Sequence, residues 1–233
     1  MKKLFSVVFI LFTLNNIFAA NQEPPYSGWF QTETEHFRII YEENSLASVI
    51  EITEFCEDVY NSVTDFFNSY PEKIILVVHN RVDTANGSYY PAPPHINMYV
   101  SRSFTAEFGA KVDNWLKFLL IHELSHYVNM TIEKGLFYGL SRVMGESVSS
   151  IPGALIPGWA IEGIAVKLES DFTDGGRGNN PFFEIYSKAL ILENKLFSWR
   201  QAAYSSYHHP PLSRIYIGGY IINYVMIICF IYS

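Results

Sequence analysis

Between Ser45 and Tyr70, apolar residues return every three or four positions: Val49, Ile52, Phe55, Cys56, Val59, Val63, Phe66 and Phe67. That spacing puts them on one face of a helix. Ser45 is placed to cap the helix and Pro71 to end it. The pattern is shorter on either side. Residues 35–42 (EHFRIIYE) are β-rich, and 73–79 (KIILVVH) read as a buried strand. Residues 84–100 (TANGSYYPAPPHINMYV) read as a turn, an irregular proline-rich stretch and then a strand. The order strand–helix–strand–strand predicts a small mixed sheet with one helix packed on it.

From Asp113 the character changes. Residues 113–130 (DNWLKFLLIHELSHYVNM) form a strong helical pattern with Asp113 as its cap. Residues 135–158 are glycine-rich and irregular. Residues 158–170 (GWAIEGIAVKLES) predict a second helix, 175–180 (GGRGNN) a loop and 181–197 a further helix; 214–233 are a last apolar run. No repeat or low-complexity segment interrupts this order. The expectation is a two-lobed α+β protein, with a sheet-bearing first half, a helical second half and the 113–130 helix at the junction.

Composition supports a packed core: 49% of the 233 residues are hydrophobic and 17% charged. A net charge of −7 repels phosphate backbones and argues against a nucleic-acid partner. At the N-terminus, Lys2 and Lys3 precede an apolar stretch from Leu4 to Leu14 and small residues at Ala19 and Ala20. This predicts a signal peptide over residues 1–20, export to the periplasm or beyond, and a mature domain over 21–233, with an N-terminal anchor as the alternative. Cys56 and Cys229 are the two cysteines. They make neither a disulfide framework nor a cysteine zinc site, and both read as core residues.

Candidate chemistry lies in IHELSHYV (121–128). Residues four apart share a helix face, so His122 and His126 can hold one metal ion. Glu123 sits beside them, off the ligand axis, where a general base can take a proton from a metal-activated water. Leu119, Leu120, Ile121, Leu124, Tyr127 and Val128 make the surroundings apolar, and buried polar groups need partners. A zinc ion supplies them.

A catalytic zinc needs a third protein ligand. Asn129 and Ile132 stand where a metzincin would carry glycine and histidine, which excludes that class. The remaining donors are His36, His79, His95, His208 and His209, with Glu133, Glu146, Glu162 and Glu169. Glu162 stands out in PGWAIEGIA. It lies among Trp159, Ile161, Ile164 and Val166, and small Gly163 and Ala165 allow close approach of two helices. Glu169, seven residues on and on nearly the same face, is the runner-up.

H-E-x-x-H followed downstream by W-x-x-E-G-x-A resembles the gluzincin metallopeptidases, the thermolysin-like and aminopeptidase-like branch of the zincins. The similarity is greatest to the peptidase MA-like domain of bacterial exported proteins. It implies a thermolysin-like two-lobed fold, one zinc ion on His122, His126 and Glu162, Glu123 as base, and a peptide or protein substrate lying along the edge strand of the sheet. It also implies an oxyanion-stabilising tyrosine of a Y-x-x-G element, here Tyr216 with Gly219, for which His208 and His209 are alternatives.

This chain departs from the family in three places. The spacing from His126 to Glu162 is longer than in the aminopeptidase-like members, with GLFYGLSRVMGESVSS filling it. The G-A-M-E-N-like motif that anchors a substrate amine is replaced by ANGSYY, so endopeptidase activity is expected over aminopeptidase activity. Asn86 and Gly87 in that stretch read as a simple turn, with contact to substrate backbone as the alternative. Val166 occupies the position where thermolysin-like enzymes carry an aspartate behind a histidine ligand, so another carboxylate or a backbone carbonyl must orient that ring.

The uncharged run 215–233 is long enough for a membrane anchor. Gly218, Gly219 and Asn223 dilute it, and a core helix is the favoured reading. The abrupt end at Ser233 raises a truncated lobe. The expected function is therefore an exported zinc peptidase. The rivals are hydrolysis of some other amide, and a truncated or degenerate domain that binds zinc or peptide without turnover.

Overall fold

The computed structural model describes residues 28–80, 85–101, 114–131, 135–145 and 156–179, with 148, 151, 185, 188–190 and 192–195. Five strands form one sheet: β1 (Trp29–Glu33), β2 (Phe37–Glu42), β3 (Ile74–His79), β4 (Ala85–Pro91) and β5 (Pro94–Val100). Their order across the sheet is β1-β2-β3-β5-β4. The central pairs β2–β3 and β3–β5 are parallel, and both outer pairs are antiparallel. Helix α1 (Leu46–Phe67) makes the crossover between the parallel strands β2 and β3. Helices α2 (Trp115–Met130), α3 (Gly135–Met144) and α4 (Gly158–Phe172) follow. The expected mixed sheet and helices are present, consistent with an α+β class.

Alternation decides which strand face is inside. Phe37 and Ile39 of β2, Ile74, Leu76 and Val78 of β3, and Ile96 and Met98 of β5 are fully buried. They join Val49, Ile52, Cys56, Val59 and Val63 of α1 in one core. Each such side chain contributes about 1.5–3 kcal/mol by leaving water. Burial also pushes the Cys56 thiol above its ordinary pKa, as befits a core cysteine. Helix α2 completes this core. It packs on α1, α4, β4 and β5, and its residues are buried on nearly every side. A helix apolar all round belongs at the centre of a fold, so the histidine helix is enclosed rather than laid on the surface.

Several boundaries differ from those read off the chain. Ser45 is buried, and its hydroxyl caps nothing; a 3-10 turn over Glu43–Ser45 leads into α1 instead. Helix α1 stops at Phe67, before Pro71, because Asn68 takes a left-handed conformation with φ of 48°. The cap of α2 is Asn114 rather than Asp113: its side chain accepts from the Lys117 N–H at 2.8 Å. Strand β1 went unread, and so did β4, where a turn and an irregular stretch were expected. The ladder from Ala85↔Val100 to Pro91↔Pro94 makes this segment an edge strand of a hairpin. Helix α3 forms within the stretch expected to be irregular.

The turn from β1 to β2 is fastened to α1. The Glu57 carboxylate accepts from the His36 N–H at 3.0 Å and from the Thr34 hydroxyl, and lies 2.7 Å from the His36 ring Nδ1. Among the described residues, no helix is long and apolar enough to cross a membrane. The expected signal peptide over 1–20 and the run 215–233 lie outside the described residues, as does most of the expected helix 181–197.

Candidate metal centre

Two helices build the site. On α2, one turn of helix brings the Nε2 atoms of His122 and His126 to 3.0 Å, with the rings at 85° to each other. Helix α4 packs against α2. Buried Gly163 and Ala165 lie on α4 beside Glu162, and small residues there permit a close crossing. Glu162 then reaches both rings: Oε2 is 3.5 Å from His122 Nε2, and Oε1 is 3.8 Å from His126 Nε2. Donors around one tetrahedral zinc at roughly 2.0–2.2 Å lie about 3.4 Å from one another. The three residues therefore form a group able to hold a metal ion. Two imidazoles and a carboxylate also match zinc in donor chemistry.

Glu169 occupies a different place from Glu162. It lies about two turns further along α4, has no exposed surface, and meets the far side of His122, with Oε2 at 3.1 Å from Nδ1. It is the carboxylate behind the ring that Val166 does not supply. Arg177, from the loop after α4, grips Glu169 through Nε–Oε1 at 2.6 Å and Nη2–Oε2 at 2.9 Å, and its Nη2 is 2.8 Å from His122 Nδ1. The Nδ1 of His126 is buried with no hydrogen-bond partner among the described residues.

The other described histidines are engaged elsewhere. His36 pairs with Glu57, His79 lies 2.9 Å from Asn97 Oδ1, and His95 lies 2.7 Å from the Pro93 carbonyl. Glu133, Glu146, His208, His209 and Tyr216 fall outside the described residues.

Proton affinities in the cluster are pulled apart. Burial and the Arg177 charge push His122 down, but Glu162 and Glu169 outweigh them and raise it to about 9. Burial, then the neighbouring His122, lowers His126 to about 3. Burial works to raise Glu162, yet the two histidines hold it well below the usual carboxylate range. Burial also works to raise Glu169, and Arg177 holds it low. Glu123 goes the other way. Burial raises it to about 7, with the Glu162 charge adding to the effect.

Glu123 faces the sheet edge. The Tyr89 backbone N–H of β4 hydrogen-bonds to its carboxylate. Gly87 of the same strand comes so close that a Cβ there would stand 2.5 Å from Glu123 Cγ. A cavity of about 400 Å³ runs along this strand, reaching from Asn86, Gly87 and Ser88 past Glu123 to Glu162. Asn86 and Gly87 are thus strand residues lining the cleft, not the simple turn expected of them. The sequence gives no sign of the Tyr89 N–H, and its one trace of Arg177 is a cation set among glycines in GGRGNN.

No family model and no solved structure matches the chain. It is 27% identical over 200 residues to an uncharacterized protein of Treponema pallidum (strain Nichols), a match covering 84% of this chain and 17% of that protein. The chain thus spans under a fifth of the length of the relative it matches.

Proposed function

We propose that this chain is an exported zinc-dependent peptidase of the gluzincin kind, with an endopeptidase reaction. The observation that carries the reading is the convergence of His122, His126 and Glu162 around one point, with Glu123 beside them in a cleft bounded by an edge strand. In this reading β1–β5 with α1 make the first lobe of a thermolysin-like fold, and α4 belongs to the second.

A zinc ion in such a setting supplies Lewis-acid activation of water and polarisation of the substrate carbonyl. The protein's own part falls to named groups. The two imidazoles and Glu162 would hold the ion. Glu169 orients the His122 ring from behind. Glu123 accepts the proton of the attacking water and returns it to the leaving amine. The outer edge of β4, which pairs with no further strand among the described residues, offers backbone groups to an extended peptide chain. Tyr216 is the proposed oxyanion donor.

Metal analysis of the full chain, with cleavage of a peptide library, tests this. Glu123→Gln is expected to retain zinc and to lose roughly 10²–10⁴-fold in hydrolysis. Stoichiometric zinc without cleavage by the unmodified chain would favour a binding domain, and absence of zinc would sink both readings.

A further inference from the structure

The segment GGRGNN sits just after α4, and the sequence alone reads it as a loop. Its described part is folded back on the last turn of that helix and held there at several points. The Gly178 N–H donates to the Ser170 hydroxyl at 2.9 Å, and the Asn179 side-chain amide donates to the Ser170 carbonyl at 2.6 Å. Gly176 makes the fold-back possible. A Cβ there would lie 2.3 Å from Ser170 Cα and 2.6 Å from the Glu169 carbonyl oxygen. These are backbone atoms that cannot move aside.

The consequence is the direction of Arg177. It runs back into the protein, and its side chain is only 11% exposed. Its guanidinium takes both oxygens of Glu169 in a fork and lies over the Phe118 ring of α2 at 5.6 Å. The carboxylate oxygen that faces His122 is the one also held by Arg177 Nη2. Glu169 therefore has one available orientation, and the His122 ring is set against it.

We propose that Arg177 is a positioning residue for the metal centre: delivered by the glycine strap, it fixes Glu169 and, with Glu169 and by its own Nη2 at 2.8 Å from Nδ1, the ring of His122. This rests on the metal reading above. The fork is the essential property. A lysine supplies a point charge and cannot bridge both oxygens in one plane.

The test is zinc affinity of the full chain by competition with a chromophoric chelator, together with the visible spectrum of the cobalt(II) form. Arg177→Ala and Glu169→Gln are each expected to weaken zinc binding about 10- to 100-fold. The double variant is expected to lose less than the product of the two single losses, because both residues hold the same ring nitrogen and each other. Arg177→Lys, which keeps the buried charge compensated, carries the test if Arg177→Ala does not fold. It is expected to lose at least about 10-fold in affinity and to shift the cobalt band. Unchanged affinity in Arg177→Ala, multiplicative losses in the double variant, or full rescue by lysine overturns the proposal while leaving the metal site standing. If the unmodified chain takes no zinc, the metal reading itself falls, and this role falls with it.

Discussion

Gly87 and Glu123 touch across the cleft, strand backbone against carboxylate. A methyl group at residue 87 would fall 2.5 Å from Cγ and 2.7 Å from Oε1 of Glu123. The glycine thus allows the proposed base to lie flat on the edge strand while the Tyr89 N–H holds it. Gly87→Ala must push the Glu123 side chain away from β4 or push β4 away from α2. Hydrolysis is expected to fall about 100-fold, the usual cost of a displacement near 1 Å at a reacting group. Zinc affinity is expected to stay within a few-fold, since no ligand moves. Measuring cleavage and zinc titration on the same sample checks both. A parallel loss of zinc would show that β4 supports the metal group rather than Glu123.

Glu162 and Glu169 lie on one face of α4, yet they meet opposite sides of His122. Glu162→Ala is expected to weaken zinc binding by more than ~100-fold, beyond the range for losing a partner behind a ligand. Competition titration ranks the two positions. A greater loss in Glu169→Gln than in Glu162→Ala would exchange their roles.

Acid stability should be sensitive to Glu57. Burial pushes its carboxyl up, but hydrogen bonds from the His36 N–H, the Thr34 hydroxyl and the His36 ring outweigh burial and hold it below the ordinary value of 4.5. A depressed folded pKa means that the unfolded chain takes the proton first. The stabilisation is therefore fully present above about pH 4.5 and is lost as pH falls through the lower folded value. The group is partly exposed, so solvent screens the effect. Glu57→Gln is expected to cost about 1 kcal/mol near neutral pH and to lose less stability than the unmodified chain on acidification. Urea unfolding at neutral and acid pH measures both, and equal acid losses in the two proteins would contradict the assignment.

The elements legible in the chain share one property: a dense set of apolar positions. Helix α1 and strands β2 and β3 bury a regular set of positions, so a 3.6 or 2.0 repeat is written into them, while α2 is apolar on nearly every side. Strands β1 and β4 lack that mark; helix α3 carries a helical repeat, but in a glycine-rich stretch and interrupted by Gly139. β4 is ANGSYYP, poor in strand formers, and it is a strand because β5 offers a ladder along its whole length. β1 is mostly exposed and owes its form to pairing with β2. Helix α3 begins at a glycine and leaves Leu136, Val143 and Met144 exposed.

The site divides in the same way. His122, Glu123 and His126 are set by helix geometry alone, because four residues make about one turn whatever the rest of the chain does. Glu162 was visible as a carboxylate in an apolar helix, a placement that needs a cation nearby. Which face of His122 each acid would meet was not written locally. That depends on how α4 crosses α2, a matter of packing between residues 40 or so apart in the chain. Arg177 reaches His122 across 55 residues, and Tyr89 reaches Glu123 across a sheet edge. Local spacing determined the histidine pair and its adjacent acid. The tertiary structure decided the third donor, the carboxylate behind the ring and the strand against which the acid rests, because those contacts exist only once separate elements are packed together.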